Sequence, residues 1–346
     1  MPERLRPRPT RWIRFAAAAA LVAASFPPSL HLHLDASAAA ATPAAEVRAR
    51  AGSAERRYRI IGKLRLALFW LARDDVGTAR MTWRSDGTTT STALLVGSDP
   101  ERAPRGVNEW GYLREEIRPD GADVFTLRSL DSDDRNQTPV SFGDGGLFSV
   151  SCAAIDGADV NSVATTVDAD GITYRMFDQF INTLNARPQH QWVTRRMGRP
   201  AGADAGFLTA LERLIRLGGA ARPLVGGAAV SYVYNNTIYD LAVRSSQIYG
   251  PASVGSRTFA RLDRRELAIT NRTTHEVTRF GVTYDPDETD IALPVQIFFQ
   301  PSFWIRIELR LDDGVDAPLD PAADTSALAR IRTICDAANA SSSHLH

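Results

Sequence analysis

The sequence predicts an α+β protein of mostly antiparallel β-structure, built as one large meander sheet or a sandwich, with a helical middle segment and a C-terminal helix. From Phe303 to Leu311, apolar and polar side chains alternate, which is typical of a strand with one buried face. Further strand-like runs follow one another across short turns. The helical patterns do not alternate with the strands, which argues against a parallel doubly wound sheet.

The first β-rich region is predicted over residues 58–172. Its first strand spans Tyr58–Leu71, with a helix over Lys63–Arg73 as the alternative because Leu and Ala favour helices. Residues 97–117 are rich in Pro, Gly and charge and predict a loop. The other strands of this region are predicted at 78–84, 90–96, 124–130, 147–155 and 161–167.

The helical segment, residues 173–219, shows apolar residues at helical spacing over Tyr174–Leu184 and Ala203–Leu217. The C-terminal β-rich region, residues 220–338, closes with a helix over Thr325–Ala338. Residues 339–346 are predicted to be a disordered tail. The strands of this region are predicted at 228–234, 239–243, 259–270, 276–284 and 293–311.

The N-terminus predicts export. Residues 1–38 have an Arg-rich start, an apolar segment at Phe15–Ser25 and the cleavage-site pattern Ala36-Ser37-Ala38, which together are typical of a signal peptide. An uncleaved anchor or a disordered tail is the alternative. Residues 39–57 are Ala-rich with mixed charge and predict a linker. We therefore expect a periplasmic or extracellular protein with no transmembrane span in the mature chain.

The charge bears on possible nucleic-acid partners, and the cysteine content bears on a possible disulfide. The chain has 39 Arg and a single Lys, and its net charge is zero. Removal of residues 1–38 takes away five Arg, one Glu and one Asp, which leaves a net charge of −3 and predicts no nucleic-acid partner. Cys152 and Cys335 form either a disulfide, which an oxidising compartment permits, or two free thiols.

The familiar catalytic motifs do not occur in the sequence. Lys63 lacks the glycine and the Ser/Thr of a phosphate-binding loop. No G-x-S-x-G elbow, G-x-G-x-x-G loop or H-E-x-x-H motif occurs, and no Cys/His cluster has zinc spacing. We therefore predict no cofactor and no metal site.

Two neighbouring carboxylates are the catalytic candidates. Asp74 and Asp75 follow an apolar run, where burial would raise the pKa of a carboxyl group and suit it to acid/base hydrolysis. An ordinary polar turn is the alternative, because Asp is a common turn residue.

Strand aromatics are the candidates for ligand binding. Tyr232, Tyr234, Phe298 and Trp304 lie in predicted strands, and Trp304 falls on the otherwise polar face of its strand. They would line an apolar groove for a lipid or another envelope molecule. Cross-strand packing is the alternative, because aromatic residues favour it.

Three segments carry a family resemblance: IIGKLRLALFWLARDDVG, NNTIYDLAVRSS and PVQIFFQPSFWIRIEL. They resemble a family of exported bacterial β-rich proteins of unknown function, which implies an exported β-protein and no particular activity. The sequence as a whole predicts a non-catalytic binder of an apolar small molecule or a cell-envelope component. A carboxylate-dependent hydrolase of an envelope polymer is the alternative, and a purely structural envelope component is a third hypothesis.

Overall fold

The structure is a computed structural model. It describes residues 51–66, 69–104, 108–129, 146–169, 174–185, 193–217, 228–288, 293–302, 305–312 and 321–342.

Strands dominate the described part of the chain. In chain order they are β1 Gly52–Leu66, β2 Phe69–Ser85, β3 Thr90–Ser98, β4 Trp110–Arg118, β5 Gly121–Ser129, β6 Gly146–Asp156, β7 Asp159–Ala169, β8 Val193–Gly198, β9 Ala229–Tyr234, β10 Thr237–Tyr249, β11 Ala252–Val254, β12 Arg257–Phe259, β13 Leu262–Asn271, β14 Val277–Tyr284, β15 Gln296–Ser302 and β16 Ile305–Leu311. The helical elements are a 3-10 turn Tyr174–Gln179, α1 Phe180–Thr183, α2 Phe207–Leu217 and α3 Pro321–Ser342.

A single antiparallel sheet contains fourteen of these strands, in the order β8-β7-β6-β5-β4-β3-β2-β1-β16-β15-β14-β13-β10-β9. β1 and β16 pair at its centre, from Tyr58 opposite Leu311 to Leu64 opposite Ile305. The first and last strands of the chain therefore join the two β-rich regions into one sheet. β11 and β12 form a separate small hairpin.

The sheet curls until its two ends approach each other. The β9–β10 turn reaches strands of the N-terminal half, where Thr126 of β5 donates to Asn235 over 3.4 Å and Asn236 donates to Ser162 of β7. Large open sheets curl because each strand is twisted relative to its neighbour. The curl creates a concave face whose apolar side chains come from both halves of the sheet and from α2.

The convex face of the N-terminal half is covered by α1, the 3-10 turn and α3. Trp110 stacks on Phe180 with ring centroids 4.5 Å apart, and Ile331 and Ile334 of α3 join the same apolar cluster. Cys152 of β6 and Cys335 of α3 form a disulfide, which is one of the two alternatives that the sequence left open. In the part of the chain that the structure describes, no helix has both the length and the apolar character needed to cross a membrane.

The predicted fold class is confirmed, because the chain is mostly antiparallel sheet with a helical middle segment and a C-terminal helix. Of the two predicted arrangements, the structure has the single large sheet and not the sandwich. β16 has the predicted alternation, with Ile307 and Leu309 in the concave core.

Several element boundaries differ from the prediction. β1 begins at Gly52, so the predicted linker is wrong over residues 52–57. The predicted strand Tyr58–Leu71 is a hairpin, because β1 ends at Leu66 and β2 begins at Phe69. α3 extends to Ser342, so residues 339–342 are helical and not a disordered tail. Residues 1–50, which contain the predicted signal peptide, lie outside the described residues.

The prediction of a loop over residues 97–117 is wrong from Trp110 onward, where β4 begins. This strand is buried on both faces although it contains Arg114, Glu115 and Glu116. Apolar and polar residues do not alternate along β4, because its charged side chains have partners within the protein instead of facing solvent.

Candidate functional site

Helix α2 lies against the concave face of the sheet. Its apolar residues recur at helical spacing and face the sheet, while Glu212 and Arg216 form an i,i+4 ion pair on its other side. The large buried apolar side chains are Phe207, Leu208, Leu211, Leu214 and Ile215, and Ala210 is also buried.

The N-terminal end of α2 is held by Glu115 of β4. The carboxylate accepts hydrogen bonds from the backbone N–H groups of Leu208 and Thr209, at 2.7 and 2.8 Å, and from the Thr209 hydroxyl at 2.6 Å. The first N–H groups of a helix have no partner within the helix, so this carboxylate satisfies donors that would otherwise be buried without one.

Gly206 makes this close approach possible. A Cβ at this position would overlap the Glu115 carboxylate. The glycine is therefore required by the space that the carboxylate occupies.

Burial has the largest effect on the pKa of the Glu115 carboxyl group. Desolvation raises the pKa of its carboxyl group from 4.5 to about 7, although the hydrogen bonds from Thr209 and Leu208 favour the ionised form and lower the pKa. The nearby Asp204 carboxylate raises the pKa further. Glu115 is consequently a buried group that titrates near neutral pH.

The C-terminal end of α2 is held by Arg265 of β13. Its guanidinium group donates to the carbonyl oxygen of Leu214, one of the last four carbonyls of the helix. The same group donates to Asp263 at 3.0 and 3.1 Å and to the Tyr284 hydroxyl. Tyr284 in turn donates to Asp263 at 2.5 Å, so the buried guanidinium is paired and hydrogen-bonded.

These contacts match the helix dipole, because a carboxylate lies at the N-terminal end and a guanidinium at the C-terminal end. Glu115 and Arg265 lie on strands separated by six others in the sheet. Helix α2 thus connects the two halves of the curled sheet through polar contacts at its ends.

A small apolar cavity of about 20 Å³ lies between α2 and the sheet. A cavity of this size holds about one water molecule. The side chains that line it are Met81, Leu94, Val96, Phe207, Leu208, Leu211, Phe280, Ile297, Phe299, Ile307 and Leu309.

Comparison with protein-family models, with curated proteins and with solved structures gives no match to this chain. What the molecule does must therefore be argued from its own residues.

Of the predicted ligand-binding residues, Tyr232 and Tyr234 face the concave core. The Tyr232 ring contacts Phe207 edge-on at 5.6 Å and stacks on Tyr239 at 5.5 Å. Burial raises the pKa of both predicted tyrosines. They pack beside the N-terminal end of α2, which is also the cross-strand packing that the sequence offered as the alternative.

Phe298 lies on the opposite, convex face. Its ring lies between the guanidinium groups of Arg264 and Arg306, at 5.5 and 4.2 Å from the ring centroid. The structure therefore does not bring Phe298 together with Tyr232 and Tyr234. Trp304 lies outside the described residues.

The two predicted catalytic carboxylates do not lie at the end of a buried strand, because they fall within β2. Asp74 is exposed. Asp75 has a φ of 55° and forms ion pairs with Arg59 and Arg102, at 4.0 and 3.6 Å. These contacts place Asp75 beside cations, and Arg102 also contacts Asp99.

Sequence reasoning missed Glu115 and Arg265. Both lie in charged runs, Arg114-Glu115-Glu116 and Asp263-Arg264-Arg265-Glu266, which read as solvated surface. Their partners lie 93 and 51 residues away in the chain, so no local pattern could have identified them.

Proposed function

We propose that this chain is an exported, non-catalytic binding protein that accepts an apolar molecule on the concave face of its sheet, in the space that α2 fills. The observation that carries this proposal is the combination of an apolar concave surface with a helix that is held at its ends by polar contacts. The disulfide between Cys152 and Cys335 supports export, because such bonds persist in oxidising compartments.

The manner in which α2 is held favours its displacement. α3 is tied to the sheet by a covalent bond, whereas the described polar contacts at the ends of α2 are hydrogen bonds to Glu115 and Arg265. Hydrogen bonds of this kind can exchange with water when the helix moves away. A ligand would then replace the apolar contacts of the helix with its own.

The apolar area on α2 sets the size of the ligand. Burial of its five large apolar side chains contributes about 10 kcal/mol. A methylene group contributes about 0.8 kcal/mol when buried, so about twelve methylene groups would compensate for the loss of these apolar contacts. A long acyl chain has this size, whereas the existing cavity of about 20 Å³ is far too small for one.

The test measures binding of a dansyl-labelled fatty acid to the full chain. The fluorescence of the probe reports binding, and palmitate serves as the competitor. We expect saturable binding that palmitate reverses. The variant Gly206→Ala pushes the Glu115 carboxylate away from α2 and should raise the affinity about tenfold, since it loses hydrogen bonds worth about 1–3 kcal/mol.

Gly198→Ala is the matched control, because a Cβ at Gly198 meets no atom within 4 Å. It should bind the probe as the wild type does. Absence of saturable binding in both the wild type and the folded Gly206→Ala variant would refute the proposal.

A further inference from the structure

The Glu115 carboxylate is buried without a cation beside it. Glu115 is 1% exposed, and its described hydrogen bonds come from neutral donors, the N–H groups of Leu208 and Thr209 and the Thr209 hydroxyl. The preceding Arg114 points to the opposite face of the sheet, where it pairs with Asp324 at 2.6 Å. A buried carboxylate in such a place is costly when it is ionised, because no positive charge compensates for the lost hydration.

The segment that precedes α2 places a second carboxylate near Glu115. The negative charge of Asp204 opposes ionisation of Glu115. Asp204 forms an ion pair with Arg213 of α2 at 3.3 Å and interacts electrostatically with Arg199. These two cations are therefore engaged by Asp204.

The strands packed around Glu115 add no charge. Tyr232 and Tyr234 of β9 interact electrostatically with Glu115, but burial raises the pKa of both phenol groups, so both are neutral near pH 7. Within the sheet, Glu115 lies between Thr92 of β3 and Val124 of β5, and neither side chain titrates. The proton on Glu115 is consequently the titratable charge that changes at the N-terminal end of α2 near neutral pH.

The contact with α2 accommodates both protonation states of Glu115. When the carboxyl group is protonated, its O–H can donate to the Thr209 hydroxyl 2.6 Å away, while the N–H of Leu208 still donates to the other oxygen. Ionisation strengthens the hydrogen bonds from α2 but also places a charge in the interior, and desolvation of that charge is the larger effect. Movement of α2 away from the strand would let water reach the carboxylate, so ionisation favours that movement.

We infer that protonation of Glu115 controls the attachment of α2, which lies on the concave face in mildly acidic solution and is released from it in mildly alkaline solution. The release follows from the contacts of Glu115 alone. Its consequence, that ligand access to the concave face increases with pH, rests on the proposed function.

The size of the effect follows from the two states of the helix. The pKa of Glu115 is about 7 while α2 is attached, and we take the ordinary value of 4.5 for the released state, in which water reaches the carboxylate. The attached helix therefore binds the proton more tightly. Release should be about thirtyfold more favourable at pH 8 than at pH 5.5.

The first experiment measures hydrogen exchange of the full chain at pH 5.5 and pH 8, with rates corrected for the intrinsic exchange rate at each pH. The amides of α2 in the wild type should lose about thirtyfold protection at pH 8, whereas those of α3 should change little. In Glu115→Gln, which has nearly the same shape and does not titrate, α2 should be equally protected at both pH values. The protection of α3 shows that the variant is folded.

Three results of this experiment would overturn the inference. They are unchanged protection of α2 in the wild type, the same pH-dependent loss in Glu115→Gln, and an equal loss in α2 and α3, which would indicate global unfolding in place of local release.

Asp204→Asn tests the electrostatic basis of the release. The substitution removes the negative charge that opposes ionisation of Glu115 and keeps an oxygen that can accept from Arg213. In the wild type, the loss of α2 protection should level off at about pH 7, and in the variant it should level off at a lower pH. The same curve in both proteins would contradict the assignment of the titration to Glu115.

The second experiment connects the release to binding. The probe is N-phenyl-1-naphthylamine, an apolar fluorophore that is uncharged at both pH values. The wild type should bind it about thirtyfold more tightly at pH 8 than at pH 5.5, and Glu115→Gln should bind it equally at both. Equal affinity of the wild type at the two pH values would overturn the control of access. Absence of saturable binding together with pH-dependent exchange of α2 would refute the proposed function and support the control of α2 by Glu115.

Discussion

Glu115 and Arg265 hold opposite ends of the same helix from strands that six others separate in the sheet. Each side chain is almost completely buried, and each satisfies backbone groups of α2 that have no partner within the helix. A single helix therefore joins the two halves of the curled sheet. The attachment depends on two ionisable side chains, which makes it sensitive to substitution and, through Glu115, to pH.

The Glu115 carboxyl group should make stability depend on pH. Its pKa is about 7 in the folded protein and 4.5 in the reference state, so the folded protein binds the proton more tightly. The resulting contribution to stability is fully present below about pH 4.5 and is lost as the pH rises to about 7. Urea unfolding should show that the wild type loses about 2–3 kcal/mol between pH 5 and pH 8 through this group.

The variant Glu115→Gln is the comparison for that measurement. Groups that do not interact with Glu115 titrate in both proteins and cancel in the difference. Glu115→Gln should therefore lack the loss that the wild type shows between the two pH values. Identical pH dependence of the two proteins would contradict the assignment.

The Arg265→Met variant should be strongly destabilised. It leaves the buried Asp263 carboxylate without its guanidinium partner and the Leu214 carbonyl without its donor. Removal of one member of a buried ion pair costs about 3–5 kcal/mol. Urea unfolding measures this loss, and hydrogen exchange should show that the amides of α2 lose protection.

Arg264→Met provides the matched control for that variant. Arg264 precedes Arg265 on the same strand but lies on the convex face, where it forms a partly exposed ion pair with Glu266. Its replacement should change the free energy of unfolding by less than about 1 kcal/mol. Equal losses in the two variants would show that the contact with α2 has no special role.

Strands that bury only one face were predicted well, because their apolar and polar residues alternate in the sequence. In β16 the apolar residues Ile307 and Leu309 face the core, so the alternation is visible in the sequence. β4 buries both faces, and its charged residues have partners elsewhere in the chain, such as Asp324 for Arg114. A local pattern cannot show such pairing, and for the same reason the two residues that hold α2 were not predicted.

The turn within the first hairpin illustrates a second limit. The run from Leu64 to Leu71 is apolar apart from Arg65 and has no Gly, Pro or Asn to mark a reversal, so the sequence predicted one strand where the structure has two. Side chains at an exposed tip do not need the alternation of a buried strand.

Loss of the disulfide should release α3. The bond joins residues 183 apart in the chain, and in the chain-entropy model a loop of this length contributes about 5 kcal/mol. The double variant Cys152→Ala/Cys335→Ala should lose stability of this order in urea unfolding. It should also bind the dye ANS, because separation of α3 exposes Ile331, Ile334 and the apolar face of the sheet beneath them.

Hydrogen exchange distinguishes this effect from general unfolding. The amides of α3 should lose protection in the double Ala variant while those of α2 keep it, because α2 is held by Glu115 and Arg265. Equal loss of protection in both helices would contradict the view that they are attached independently.

Gly281 and Phe298 provide a test on the convex face. Phe298 pairs with Gly281 across β14 and β15, and its ring occupies the space that a Cβ at Gly281 would take. Gly281→Ala should therefore force the ring out from between Arg264 and Arg306 and lower the free energy of unfolding by about 1–3 kcal/mol. Gly198→Ala, with open space around its Cβ, should be neutral in the same thermal or urea measurement. If Phe298→Ala is combined with Gly281→Ala, the second substitution should cost almost nothing, because the ring it would displace is gone.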